Sequence, residues 1–107
     1  VGYDRALNSL SGSGTFAGGL LITHIDENVN NNMTDAQRLV DIEEANNAML
    51  DSACCGHFNN FFFNGNSSTF NDSSSPNSKR NNGTASNISI TSIGSQGASI
   101  SFTIDIP

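Results

Sequence analysis

Apolar positions in this chain fall into a few short runs separated by long polar stretches. The longest run lies in Gly18-Gly19-Leu20-Leu21-Ile22-Thr23-His24-Ile25-Asp26-Glu27. β-branched residues between turn formers predict a strand over 19–26, buried on both faces. Alternation along a strand places His24 and Asp26 on the same face as Leu20 and Ile22. The end of the chain alternates more cleanly. Residues 88–93 and 100–106 flank Gly94-Ser95-Gln96-Gly97, an antiparallel hairpin with Ile88, Ile90, Ile100, Phe102, Ile104 and Ile106 facing inward.

Between these segments the pattern is weaker. Residues 1–15 have no clear period and read as an irregular lead-in, and the Asn-rich stretch 28–35 suits turns. Residues 34–50 give two signals. Thr34 with Gln37 resembles a capping box ahead of helically spaced Ala36, Leu39, Val40, Ala45, Ala48 and Met49. Leu39 to Glu44 also alternates as a strand would, with Asn46-Asn47 as its turn. Phe58 and Phe61-Phe62-Phe63 form an aromatic plug for the core. Residues 66–87 are almost wholly Ser, Asn, Gly and Thr, anchored only by Phe70, and so long a polar connection is either functional or mobile.

At 107 residues the chain makes one domain over 1–107. Short strands and polar loops predict an all-β, antiparallel β-sandwich-like fold with long polar loops and at most one short helix. A net charge of −6 with four Lys+Arg argues against nucleic acid as a partner. No run is long and apolar enough to span a membrane. The chain begins without Met or a basic leader and reads as a piece excised from a larger protein. Its two cysteines, Cys54 and Cys55, are neighbours, so they read as small apolar residues rather than a staple between distant segments.

Catalysis by this chain alone is not suggested. His24 and His57 stand outside any H-E-x-x-H, and no Ser lies in G-x-S-x-G. The acids are better placed. Asp26 and Glu27 close one predicted strand, while Asp41 and Glu43 lie on the next. If the two strands are neighbours, the four carboxylates with nearby Asn carbonyls make a calcium set, against the plainer reading of a solvated acidic face. The five N-x-[ST] sequons, at Asn32, Asn66, Asn71, Asn82 and Asn87, follow from the composition and carry little weight.

The order of segments also resembles a known family. Gly19-Leu20-Leu21-Ile22-Thr23-His24-Ile25-Asp26-Glu27 is similar to the G-L-L-I-x-H-[IV]-D-E segment of secreted bacterial zinc metallopeptidases of the immune inhibitor A type. Leu39 to Ala45 resembles the L-V-D-[IL]-x-E-A that follows there, and Asn46-Asn47 stands where those proteins commonly have Asp-Gly. Asn59-Asn60-Phe61-Phe62 looks like a degenerate G-D-L-F, Ser75-Pro76-Asn77-Ser78 like a P-N-S, and Ile88 to Ile93 like a G-I-S-I-x-x-I.

The resemblance spans about residues 18–106 and implies an extracellular β-rich module C-terminal to a zinc-bearing catalytic core. The catalytic zinc would lie in the parent protein, outside this chain. The implied partners are the parent's catalytic domain and its protein substrate. Asn in place of Asp at positions 46 and 60 would weaken any metal site the family builds there. Family order favours a strand over 38–44 in place of the helix. The competing expectation is a free-standing extracellular binding module, for carbohydrate or a surface, although this chain has no Trp and one Tyr.

Overall fold

A computed structural model describes residues 17–33, 37–47 and 58–107. The fold is all-β, and the described residues form two antiparallel strand pairs. β1 (Thr23–Ile25) pairs with β2 (Val40–Ile42), with Thr23 opposite Ile42 and Ile25 opposite Val40. β3 (Ser89–Thr91) pairs with β4 (Thr103–Asp105), centred on Ile90 opposite Ile104. Among the described residues the helical content is one 3₁₀ turn, Phe58–Asn60. The strand expected over 38–44 is therefore present as β2, where pairing with β1 prevails over the helical spacing of Leu39 and Val40, and Thr34 lies outside the described residues. The lead-in 1–15, the cysteines and His57 lie outside the described residues.

The core joins the two pairs. Ile22, Ala45, Phe62, Phe70 and Ile93 form one buried cluster, with Leu20, Ile90 and Ile100 packed against it. Phe62 is fully buried and meets Phe70 edge to face, ring centroids 5.6 Å apart. Its backbone exchanges two 2.9 Å hydrogen bonds with Leu20, and Phe70 exchanges two of 2.8 Å with Ile90. The Phe plug thus links the sheets, although Phe58 stays half exposed.

Two expectations about burial are corrected. The 19–26 segment is buried on one face only: Ile22 is covered, while Leu21 and Ile25 on the opposite face are exposed. Among the described residues each sheet has two strands and no second layer covers the outer side. In the final hairpin, Ile90 and Ile100 reach the core, but Ile88, Phe102, Ile104 and Ile106 are exposed. Among the described residues β4 is paired on one side only, so Ile104 shares a face with Ile90 yet overhangs the core. Ser92, at φ 51°, breaks the alternation and turns Ile93 into the core instead.

Gly18 and Gly19 let the chain enter β1 beneath its neighbours. At φ 101°, Gly18 occupies a conformation that side chains disfavour, and a Cβ there would sit 2.5 Å from the Gly97 carbonyl oxygen. At Gly19 a Cβ would sit 2.6 Å from Phe61 Cβ. Gln96 Nε2 ties the same corner by donating to Gly18 O at 2.9 Å.

Candidate functional site

Asp26 follows β1 directly, its N–H donating to Leu39 O at 2.9 Å and extending the β1–β2 ladder. Its carboxylate is enclosed by amides. Oδ1 accepts from Asn28 N at 3.0 Å and Asn28 Nδ2 at 3.3 Å. Oδ2 accepts from Gln37 Nε2 at 2.7 Å and Asn81 Nδ2 at 2.6 Å. A carboxylate has about four lone-pair directions, so these donors fill it. The Gln37 bond, followed by those from Asn28 N and Asn81, lowers its pKa to about 2, against a smaller opposing effect of burial. Asp26 is therefore a fixed anion that takes no part in proton transfer near neutral pH.

The bond from Asn81 crosses 55 residues of sequence and holds the turn Arg80–Thr84 against the end of β1. The turn is built locally. Gly83 N donates to Arg80 O at 2.8 Å, Arg80 N donates to Thr84 O at 3.0 Å, and Asn82 Oδ1 accepts from Thr84 N and Oγ1. Between turn and strand lies an open cleft of about 680 Å³, lined among others by His24, Glu27, Asn28, Arg80 and Asn82. Amides, a carboxylate and a guanidinium give this lining both donors and acceptors.

A second carboxylate organises the base of the same loop. Asp72 Oδ1 accepts from Ser86 N at 2.9 Å, Ser78 Oγ at 3.1 Å and Ser86 Oγ at 3.2 Å, and Oδ2 accepts from Asn87 N at 2.8 Å. The backbone bond from Ser86 leads in holding its pKa below the usual carboxylate range. The single Ser78 hydroxyl hydrogen is shared between Asp72 Oδ1 and Ile88 O, the latter the shorter contact at 2.8 Å, which ties the loop to the start of the last hairpin. The 66–87 connection is thus held by its own polar groups as well as by Phe70.

The four expected calcium ligands fall into two groups. Asp26 and Glu27 line the cleft. On β2, Asp41 stands opposite His24, and just past the strand end Glu43 Oε1 lies 3.4 Å from His24 Nδ1. Burial, with a smaller push from Asp41, raises the pKa of Glu43, and His24 opposes both. Among the described residues no three His, Cys, Asp or Glu side chains are grouped to hold a metal ion. The Asp26 oxygens already carry amide hydrogens, so the arrangement as it stands does not fit calcium.

The positions where the resemblance expects acids also hold an amide pair. Asn60, fully buried, donates from Nδ2 to Asn46 Oδ1 at 2.9 Å, and its carbonyl accepts from Ala45 N at 2.9 Å.

Gln37, Arg80, Asn81 and Asn82 were not legible as site residues, because polar loops have no period to place them. Asp72 carried one usable signal: it is the sole acid in the Ser/Asn-rich stretch 66–87. Compared with known proteins, the chain matches no family model, no curated protein and no solved structure.

Proposed function

We propose that this chain is a non-catalytic accessory module of a secreted bacterial zinc metallopeptidase of the immune inhibitor A type. It would brace the catalytic core or help hold protein substrate, with zinc chemistry confined to the parent protein. One observation supports the reading: the two segments with the strongest resemblance, 19–27 and 39–45, lie side by side around β1 and β2. The saturated Asp26 favours a holding role over proton transfer. The coding sequence upstream tests the proposal directly. An H-E-x-x-H there, with the catalytic region co-purifying with this chain, is the expected result. A parent without that motif defeats the peptidase reading.

The cleft favours a second reading, a free-standing extracellular binding module. Arg80, Asn82 and Glu27 beside the pinned turn offer hydrogen bonds of both senses to a polar ligand such as a saccharide. Binding of the isolated chain to soluble polysaccharides, lost on Arg80→Ala with Asn82→Ala, would support this reading. Unchanged retention on both would exclude the cleft as its site.

A further inference from the structure

Two Asn-Gly dipeptides occur among the described residues, Asn64-Gly65 and Asn82-Gly83. Such a pair is chemically labile because glycine, lacking a side chain, leaves its backbone nitrogen open to the preceding Asn side chain. Whether the reaction proceeds in a folded chain depends on two atoms: the glycine nitrogen that attacks and the asparagine Cγ that receives it.

At Asn82-Gly83 both are engaged. Gly83 N donates to Arg80 O at 2.8 Å, and Asn82 Oδ1 accepts from Thr84 N at 3.0 Å and Thr84 Oγ1 at 2.7 Å. Attack there must first break the turn that forms one wall of the cleft. The other dipeptide is open. Asn64 and Gly65 are exposed at the tip of a turn closed by the Phe63–Ser67 bridge. The neighbouring backbone bonds start from Asn64 N, to Gly94 O at 2.8 Å, and from Asn66 N, to Phe63 O at 3.0 Å, leaving Gly65 N–H to solvent. Gly65 has φ 108°, with no atom within 4 Å of where a Cβ would stand.

We infer that Asn64 is a spontaneous deamidation site of the folded protein, while Asn82, with the same sequence signature, is protected by its turn. Gly65 N loses its proton to solvent base and bonds to Asn64 Cγ, and Nδ2 departs as ammonia. Water opens the resulting five-membered succinimide at either carbonyl, giving aspartate or its isoaspartyl isomer. Each event adds one negative charge beside the Phe61–Phe63 plug. The isoaspartyl product also lengthens the backbone where Asn66 Nδ2 donates to Asn59 O at 2.7 Å and Phe61 O at 2.9 Å.

Trypsin separates the two sites, since cleavage after Arg38, Lys79 and Arg80 places Asn64 in peptide 39–79 and Asn82 in peptide 81–107. The full chain is aged in mildly alkaline buffer, folded and in denaturant, and fragmentation mass spectrometry locates the amide-to-acid conversions. In denaturant the two dipeptides should convert at comparable rates. In the folded chain Asn64 should convert several-fold faster than Asn82, and Asn64→Gln should remove the first event without changing the rate at Asn82. Equal rates at the two sites in the folded chain, or Asn82 converting first, would overturn the inference.

Discussion

Asn60→Asp tests whether the amide pair with Asn46 lies in a dry interior. Asn60 has no exposed surface, and its Nδ2 donates to Asn46 Oδ1 at 2.9 Å. The aspartate replaces that donor with an oxygen facing an oxygen, at a cost of about 1–3 kcal/mol for a broken buried bond. Taking its charge out of water at a position with no exposed surface adds on the order of several kcal/mol. Against a total stability of about 5–15 kcal/mol, that is a large share. At about 4–8 °C per kcal/mol for a small domain, the melting midpoint should fall by more than about 10 °C at neutral pH.

Two features make the result diagnostic. Burial disfavours the charged form, so the folded-state pKa of the new carboxyl is raised. The deficit is therefore largest well above the ordinary aspartate value of about 3.9 and shrinks as pH falls. Asn46→Asp differs: position 46 is exposed and its oxygen already accepts, so the change should cost within about 0.5 kcal/mol. Thermal melts of both variants across pH decide. Equal losses from the two substitutions, or an Asn60→Asp midpoint unchanged at neutral pH, would refute the buried donor–acceptor arrangement.

Three further outcomes are expected. Phe62→Leu and Phe70→Leu, combined in a double-mutant cycle by denaturant melts, should show coupling of about 0.5–1.5 kcal/mol for the edge-to-face pair. The lowered pKa values of Asp26, about 2, and of Asp72 give stability that is present above the ordinary carboxylate range and is lost as pH falls through their folded-state values, while raised Glu43 acts in the opposite sense at higher pH. Asp26→Asn should shallow the acid limb of that profile. EDTA and excess calcium should leave the midpoint unchanged, because amide hydrogens occupy Asp26. A calcium-dependent rise lost in Asp26→Asn would mean that the amides turn over to present their oxygens.

Strand pairs were legible because alternation is physical: Ile22 and Ile90 mark the faces that reach the core. The depth of burial was not, because alternation gives a face without saying whether anything covers it, as Leu21 and Ile104 illustrate. His24 and Asp41 face each other across β1 and β2, with Asp26 and Glu43 just past the strand ends, but direction within the site depends on partners far away in sequence. Nothing near Asn81 signals that it bonds a residue 55 positions earlier.

The composition has a physical logic once those partners are known. A chain with charge −6 and four Lys+Arg cannot pair most of its acids with cations. At the two carboxylates that hold its loops, amides and hydroxyls take that role: Gln37, Asn28 and Asn81 around Asp26, and Ser78, Ser86 and Asn87 around Asp72. Neutral donors keep a carboxylate ionised as a cation would, but they are directional, so each also fixes the loop it comes from. Added salt, which screens exposed ion pairs, has correspondingly little to screen at either hub. The Asn- and Ser-rich loops are therefore the scaffold of the cleft, and Asp26 and Asp72 are the points on which that scaffold closes.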